Sequence, residues 1–295
     1  MTQIRSAALI VNAMSRTGRR SFKQACRAMK GLDFPVDAYA VKDPDDLEST
    51  VTRALAKQPD MVILGGGDGT ISGLVDLLVG KGVILGLLPL GTANSFARTL
   101  GIPLDIDGAV AVLRDGTPRR IDLGLIDDDY FANCAAMGIS PQIAETVPHG
   151  LKKVLGRIGY LGWAAYQYTK FKPFTLTVTA DGETTTLCVV EVRISNGRYH
   201  GGTLLIDSAA VDSGEIVVQA VLGTTKPALI KNWVASVFRH DARHDDIREF
   251  RGAAMRLDTD HPMPISIDGE VLARTPVTAR IAGGVIEVMA PRDAA

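Results

Sequence analysis

The chain has 295 residues, of which 46% are hydrophobic and 22% are charged, and its formal net charge is −1. This composition predicts a globular protein with one large or two ordinary domains, and it excludes a disordered chain. The near-neutral balance also excludes a global basic field, so we expect no nucleic-acid partner.

The three cysteines, Cys26, Cys134 and Cys188, are far apart and form neither a metal-binding spacing nor a disulfide framework. This usage fits a reducing compartment. The N-terminus runs directly into an apolar strand without a signal peptide, and no apolar run is long enough to span a bilayer. The sequence therefore predicts a cytoplasmic protein that meets the membrane, if at all, peripherally at its inner face. It does not reveal the oligomeric state.

The first 126 residues alternate short apolar runs with helical patterns, which predicts a nucleotide-type domain built on a parallel sheet. Nucleotides bind such sheets at the carboxyl ends of the strands. The polar loop from Asn12 to Gly18 follows the first strand and leads into a helix predicted over about 21–30. The predicted strands are 7–12, 34–41, 61–64, 83–88 and 119–125.

A glycine loop with one acidic residue follows the third strand and opens the next helix. Because glycine lacks a Cβ, phosphate can approach the main chain there, at a helix N-terminus. A carboxylate does not itself bind phosphate, so Asp68 favours Mg²⁺-assisted nucleotide chemistry over simple anion capture. A plain strand-to-helix turn is the alternative. The loop reads Gly65, Gly66, Gly67, Asp68, Gly69 and Thr70.

A second loop of the same kind follows the fourth strand, where Pro89 and Leu90 lead through Gly91 and Thr92 into another helix. Since the two loops are about one βα unit apart, we expect them to lie side by side at the sheet edge. Together they would form a two-sided nucleotide cleft.

From Asp127 onward, alternating and aromatic-rich strands replace this rhythm and predict a mostly antiparallel second domain over 127–284. Residues 285–295 contain a last predicted strand, and the sequence leaves open whether it pairs with the first or the second domain. Turn signals at Asp181-Gly182 and Asn196-Gly197 separate several strands. The predicted strands are 130–136, 174–180, 185–195, 214–222 and 277–281.

Two helical inserts interrupt this β region. The stretch 149–174 is basic and aromatic, so we expect a peripheral contact with an anionic bilayer surface, although an ordinary helix packed on the sheet is the alternative. The stretch 226–238 has a similar apolar face. Nearby His240, His244 and His261 lie among charged, solvated residues, so no metal site is expected there.

The two loops, in this order, resemble the diacylglycerol kinase catalytic-domain family, which includes sphingosine kinases and soluble bacterial lipid kinases. The likeness covers nearly the whole chain. Further matching segments are 12–18, 121–124, 196–202 and 268–270. The acidic glycine loop alone also occurs in NAD kinases and phosphofructokinases.

The resemblance implies an NAD kinase-like or phosphofructokinase-like domain and a β-sandwich domain flanking a cleft. It implies transfer of the γ-phosphoryl group of ATP to a hydroxyl of diacylglycerol or a related lipid at the membrane surface. Asp68 and Asp122 would organise Mg²⁺ through water. The implied ATP contacts are Asn12, Gly65, Gly66, Gly67, Asp68, Gly69, Thr70, Gly91, Thr92 and Asn94.

In the motif Asp268-Gly269-Glu270, a carboxylate would take the proton of the lipid hydroxyl. Glu270 is favoured as this base, Asp268 is the second choice, and a hairpin turn without catalytic function is the alternative. Asp68 completes the implied catalytic set.

The chain departs from the family pattern at two places that concern metals. Ser95 stands where many relatives carry Asp, which removes one carboxylate from the implied Mg²⁺ water network. The segment 206–214 resembles a structural Mg²⁺ site of some bacterial members, but Asp212 is displaced by one position. A shift of one residue re-aims a ligand, which argues against this second metal.

Two other functions stay open: a nucleotide kinase of the NAD kinase type, and a nucleotide-binding regulator with weak catalysis. Among lipid acceptors, diacylglycerol, phosphatidylglycerol and sphingoid bases are not distinguished by the sequence.

Overall fold

The computed structural model describes residues 4–14, 16–138, 171–223, 246–268 and 270–292. The chain divides into two compact units. Unit 1 consists of residues 1–123, 197–213 and 282–295, and unit 2 consists of residues 124–196 and 214–281. The segment 197–213, which the sequence pattern placed in the second domain, thus lies in unit 1, and so does the C-terminal strand segment.

Unit 1 contains the parallel sheet that the βα rhythm predicts. Four strands pair in parallel in the order β2, β1, β3, β4, and the last part of β17 adds a further parallel strand beside β4. The strands of unit 1 are β1 (Ala7–Asn12), β2 (Val36–Val41), β3 (Met61–Gly66), β4 (Ile84–Pro89), most of β5 (Thr117–Ile126), the hairpin β10 (Tyr199–His200) and β11 (Thr203–Leu204), and the end of β17 (Val277–Ala290).

The helices of unit 1 connect these strands. They are α1 (Arg16–Ala28), α2 (Leu47–Leu55), α3 (Asp68–Val75), α4 (Ser95–Thr99) and α5 (Ile106–Asp115), with 3₁₀ turns at Met29–Gly31 and Pro44–Asp46. Helix α5 was not predicted from the sequence; its N-cap Asp105 accepts a hydrogen bond from the Gly108 amide at 2.8 Å.

Helix α1 begins earlier than predicted, at Arg16 rather than near Ser21. Its first turn packs directly against the end of β1. A Cβ at Gly18 would lie only 2.7 Å from the carbonyl oxygen of Asn12, so glycine permits this close approach. The glycine that suggested a longer loop therefore belongs to the helix.

The strand order creates a topological switch point in unit 1. Because β1 lies between β2 and β3, the chain leaves β1 in one direction and returns on its other side. In such sheets ligands bind outside the carboxyl ends of the two strands that flank the reversal. These ends carry Asn12 on β1 and Gly65 and Gly66 on β3.

Unit 2 is an antiparallel β unit. Its sheet has the order β16, β15, β7, β9, β8, β14 and the start of β17, and the long strand β9 also pairs with β12, which pairs with β13. The other strands are β6 (Asp129–Phe131), β7 (Cys134–Gly138), β8 (Phe174–Ala180), β9 (Glu183–Ser195), β12 (Ile216–Leu222), β13 (Ile247–Gly252), β14 (Ala254–Thr259), β15 (Pro264–Ile267) and β16 (Glu270–Arg274).

One face of this sheet forms the apolar core, and the alternation along β8 shows how. Phe174, Leu176 and Val178 are buried, while Thr177 and Thr179 on the other face form cross-strand hydroxyl pairs with β9 at 3.2 and 3.1 Å. The hairpin turn at Asp181-Gly182 has φ values of +50° and +81°, as that dipeptide predicts. The predicted fold class, a parallel α/β unit followed by an antiparallel β unit, is confirmed.

Several strand predictions differ from the structure. The predicted strand 130–136 is interrupted and forms β6 and β7, whereas the last two predicted strands are one continuous strand, β17. Strands β13 to β16 were not predicted.

The predicted helical inserts fall mainly at 149–170 and 226–238, outside the described residues, together with His240 and His244. His261 is described, and its Nδ1 atom lies 2.9 Å from the Asp260 carboxylate. Within the described ranges, no three metal-ligating side chains cluster, and no helix is long and apolar enough to cross a bilayer.

Candidate functional site

The two glycine loops of unit 1 lie against each other, as their spacing predicts. The Leu90 amide donates to the Gly66 carbonyl at 2.9 Å. A Cβ at Gly91 would lie 2.4 Å from the Cα of Gly67, so the two main chains touch where no side chain fits. Glycine at position 91 is therefore required by the contact between the loops, and a Cβ at Gly67 would also be tight, 3.2 Å from the Cα of Gly91.

The first glycine loop presents the bare N-terminus of α3. Gly67 is the N-cap residue, with extended backbone and no side-chain capping hydrogen bond. The first amides of a helix have no partner within the helix, so they are available to an external acceptor. A Cβ at Gly69 would meet nothing within 4 Å, which leaves the main chain open there. This geometry suits an anion.

Asn12 and Thr70 meet at the switch point. The Asn12 Nδ2 atom lies 3.5 Å from the Thr70 hydroxyl oxygen, and the Asn12 Oδ1 atom accepts a hydrogen bond from the Met14 amide at 3.3 Å. The end of β1 and the first turn of α3 are thereby joined. Two of the predicted nucleotide contacts are neighbours in the structure.

Asp68 links the two loops. It is the first residue of α3, and its Oδ1 atom accepts a hydrogen bond from the Phe96 amide, at the start of α4, at 3.2 Å. The second carboxylate oxygen has no hydrogen-bond partner among the described residues. Asp68 is therefore fixed in direction while one oxygen stays available.

Asp122, the second predicted acid of the Mg²⁺ site, is buried on β5. Its Oδ1 atom accepts a hydrogen bond from the Gly284 amide at 2.7 Å, and its own amide donates to the Val211 carbonyl at 2.6 Å. Three segments of unit 1 that are distant in sequence thus converge on this residue.

Asn94 uses its side chain on its own loop. The Oδ1 atom accepts from the Gly91 amide and the Nδ2 atom donates to the Gly91 carbonyl, both at 2.9 Å. The residue is buried and has a left-handed φ of +49°, which Asn tolerates better than most residues. Asn94 therefore shapes the second loop, on which Thr92 is exposed. Their contact with ATP stays a prediction.

Ser95 has a structural partner that sequence reasoning missed. Its buried hydroxyl oxygen accepts a hydrogen bond from the Gly202 amide at 3.0 Å. Gly202 has φ +81°, and a Cβ there would lie 3.2 Å from the Ala93 carbonyl oxygen. The segment 197–213 is thereby attached to the second glycine loop. The paired glycines at 201 and 202, both with positive φ, are the sequence signal that could have indicated this contact.

The motif 268–270 lies in unit 2, at the turn between β15 and β16. The Asp268 carboxylate accepts hydrogen bonds from the amides of Ala132 and Cys134, both at 3.0 Å, and the Asp268 amide donates to the Cys134 carbonyl at 2.9 Å. The Asn196 Nδ2 atom donates a hydrogen bond to the Ala132 carbonyl at 3.0 Å and so stabilises the same part of the chain. Asp268 thus clamps the connection between β6 and β7.

Glu270 differs from Asp268 in its surroundings. It begins β16 and is exposed, and its carboxylate has no partner among the residues that the structure describes. Asp268 has φ +44°, so the turn itself is specialised. Strands β15 and β16 pair as a hairpin, which is the alternative predicted for this motif. The Glu270 carboxylate is exposed, whereas the Asp268 carboxylate accepts main-chain hydrogen bonds.

Asp212, the residue tied to the second metal, forms an ion pair with Arg119. In the same segment Asp207 lies 3.9 Å from Arg198. Both carboxylates of this segment thus have cationic neighbours, and the expectation about a second metal stays a prediction.

The parallel sheet with its paired glycine loops and the antiparallel unit define a structural class, in which a parallel α/β unit is combined with an antiparallel β unit. The family models agree with this class. The diacylglycerol kinase catalytic domain matches residues 6–126, and the YegS C-terminal NAD kinase beta sandwich-like domain matches residues 133–290. The chain therefore belongs to the diacylglycerol kinase family of lipid kinases, as the sequence resemblance predicted.

Individual relatives and solved structures agree. A protein of Chromohalobacter salexigens described as a probable YegS-like lipid kinase is 30% identical over 79% of this chain and 77% of its own length. A Staphylococcus aureus diacylglycerol kinase is 26% identical over 97% of this chain and 93% of its own length. An uncharacterized Synechocystis protein is 27% identical, but the chain spans only 54% of its length. A crystal structure of a diacylglycerol kinase from Bacillus anthracis superposes with TM-score 0.76 at 20% identity, covering 100% of both chains, which supports the fold.

Proposed function

We propose that this protein is an ATP- and Mg²⁺-dependent lipid kinase that transfers the γ-phosphoryl group of ATP to a lipid hydroxyl at a membrane surface. The observation that carries the proposal is the pair of touching glycine loops with Asp68 fixed between them. The products would be ADP and a phosphorylated lipid. The hydroxyl proton passes to a carboxylate of the protein.

The first glycine loop is the proposed binding site of the ATP phosphates. The open main chain at Gly69 and the uncapped start of α3 supply amide donors and the positive end of a helix. Asn12 and Thr70 border the same edge of the sheet. Phosphoryl transfer depends on positioning and charge neutralisation rather than on covalent chemistry by the protein, so this equipment fits the reaction.

Asp68 is the proposed protein ligand of the Mg²⁺ network, with Asp122 acting through water. Mg²⁺ in kinases commonly binds through one or two carboxylates, retained waters and substrate phosphates. The second carboxylate oxygen of Asp68, which has no hydrogen-bond partner among the described residues, fits this pattern. The bound ion would neutralise charge on the transferring phosphoryl group.

Glu270 is the proposed base. Both oxygens of Asp268 already accept main-chain hydrogen bonds, whereas Glu270 is exposed at the head of β16. A base must reach the proton that it removes, which favours the displayed carboxylate. Asp268 would then hold the turn that presents Glu270.

The relatives named diacylglycerol kinase support diacylglycerol as the first acceptor to test. Wild-type protein would be incubated with γ-labelled ATP, Mg²⁺ and mixed micelles containing diacylglycerol, phosphatidylglycerol or a sphingoid base, with NAD in a parallel reaction. We expect label in a lipid and identify the acceptor by which one carries it. Label in NAD would establish the nucleotide kinase instead, and ATP binding without any labelled product would favour the regulator.

A further inference from the structure

Helix α1 lies in a stretch of unit 1 that is rich in positive charge and has no acidic residue. The first 32 residues of the chain contain seven of its 32 cationic residues and none of its 33 acidic ones. Five of these cations are exposed side chains on or just after α1: Arg19, Arg20, Lys23, Arg27 and Lys30. We refer to these five as the α1 basic face.

Their spacing places them on one side of the helix. Steps of three and four residues from Arg20 to Lys30 follow the helical period, and Arg19 flanks them. The opposite side of the helix carries Ala25 and Met29, which are buried against unit 1. The basic face therefore points away from the protein interior along a helix about 20 Å long.

The basic face is not used within the described structure. No ion pair or hydrogen bond joins any of its five side chains to another side chain in the described residues. By contrast, several other exposed cations of unit 1 have carboxylate partners, such as Arg114 with Asp115 and Lys57 with Asp37. Five adjacent unpaired cations repel one another unless an external anionic surface compensates them.

An exposed apolar side chain stands two residues before the start of α1. Met14 precedes α1 and is 59% exposed, one of few large apolar side chains so exposed among the described residues. Its amide bonds to Asn12, so it is close to the proposed ATP edge of the sheet. Cations with an exposed apolar neighbour are the combination that binds an anionic bilayer, through headgroup attraction and shallow insertion.

We propose that the α1 basic face docks the protein on anionic lipid headgroups, and that unit 1 thereby takes part in membrane binding. The proposal rests on the proposed lipid kinase function for its choice of a bilayer over other polyanions. It differs from the sequence expectation, which assigned membrane contact to residues 149–174.

The test measures sedimentation of the full chain with phosphatidylcholine vesicles, with and without phosphatidylglycerol, at low and high salt. The test variant carries Lys23→Gln, Arg27→Gln and Lys30→Gln, which leaves the residues nearest the nucleotide loop intact. The control variant carries Lys42→Gln, Lys81→Gln and Arg248→Gln, three exposed cations scattered over the surface. Both variants change the net charge equally.

We expect wild type and the control to bind anionic vesicles in a salt-sensitive manner, and the test variant to bind roughly 100-fold more weakly. Kinase activity in uncharged mixed micelles should be equal in all three proteins. Equal loss of binding in both variants would overturn the proposal, as would wild type that ignores anionic vesicles. If the test variant still bound anionic vesicles but no longer bound duplex DNA that the wild type binds, the result would overturn the proposal in favour of a nucleic-acid partner.

The two proposals fail separately in this design. A wild type that phosphorylates lipid in micelles but does not bind anionic vesicles refutes the docking surface alone. A wild type that binds vesicles through α1 but phosphorylates no lipid refutes the lipid kinase and retains the surface.

Discussion

Asn94 and Asp268 show how polar side chains near the site act on neighbouring main chain. Asn94 closes the second glycine loop through hydrogen bonds of both its side-chain oxygen and its side-chain nitrogen. Asp268 accepts hydrogen bonds from two main-chain amides in the connection between β6 and β7. Residue type alone cannot separate a ligand-binding side chain from one that shapes the loop carrying the ligand, because both roles need the same hydrogen-bonding groups.

The two acids of the 268–270 motif should respond differently to neutralisation. Glu270→Gln should lower kcat by a factor on the order of 100 or more, because it removes the base, and leave the KM for ATP and the melting temperature unchanged. Asp268→Asn should lower the melting temperature, because one of two amide acceptors is lost. Kinetics and thermal unfolding on both variants measure this, and the reverse pattern would make Asp268 the base.

The contact between the glycine loops predicts a contrast between two Gly→Ala substitutions. Gly91→Ala should destabilise the protein by about 1–3 kcal/mol and weaken ATP binding, because the new methyl group overlaps Gly67. Gly73→Ala, within α3, meets no atom within 4 Å and should stabilise by about 0.5–1 kcal/mol. Denaturant unfolding compares the two, and equal effects would contradict the packing of the loops.

Elements that follow regular periodicity were predictable from the sequence. Strand β1 was predicted at its observed bounds, and β3 and β4 within two residues at each end, because both faces of each strand are buried and the runs are continuously apolar. Helix α5 and strands β13 to β16 were missed. Strands β13 and β16 are largely exposed edge or hairpin strands with charged residues, so the alternation that marks a strand is weak there.

The attachment of segment 197–213 to the second loop predicts an effect of Ser95→Ala. Loss of the acceptor for the Gly202 amide should cost about 1 kcal/mol and speed hydrogen exchange of that amide. Ser49→Ala on the exposed side of α2 serves as the control and should change stability by less than about 0.5 kcal/mol. Unchanged exchange at Gly202 in the Ser95 variant would show that the bond does not hold the segment.

The start of the parallel sheet predicts a pH dependence. Asp60 accepts hydrogen bonds from the side chain and amide of Arg5 and from the Ser6 amide, and the Arg5 side-chain bond is the largest cause that lowers the pKa of Asp60. A lowered folded-state pKa stabilises above the unfolded value, about 4, and that stability is lost as pH falls through the folded pKa. The stability difference between wild type and Asp60→Asn should therefore be constant above about pH 5 and shrink below about pH 4. Thermal unfolding across this range checks the sign, and a difference that grows on acidification would contradict it.

For the whole molecule, the division into two units was predictable from the sequence, but the assignment of every segment to its unit was not. The change from βα rhythm to alternating strands identified the boundary near residue 127, and the structure places it after Leu123. Segment 197–213 is linked to the rest of unit 1 by individual contacts such as that of Ser95 with Gly202. Such contacts leave no periodic pattern in the sequence, so they could not be predicted from it. The two glycine loops were predictable because glycine is the residue that such a main-chain approach requires, as at Gly91.

The proposed phosphoryl transfer from ATP to a lipid depends on Asp68. The most direct measurement is the amount of labelled γ-phosphate recovered in extracted diacylglycerol product, with wild type, Asp68→Asn and the exposed control Asp129→Asn in parallel. We expect labelled lipid with wild type and the control, and a rate lower by roughly 100-fold or more for Asp68→Asn. Equal labelling by all three proteins would contradict the role of the glycine loop, and no labelling of any lipid by wild type would contradict the proposed function.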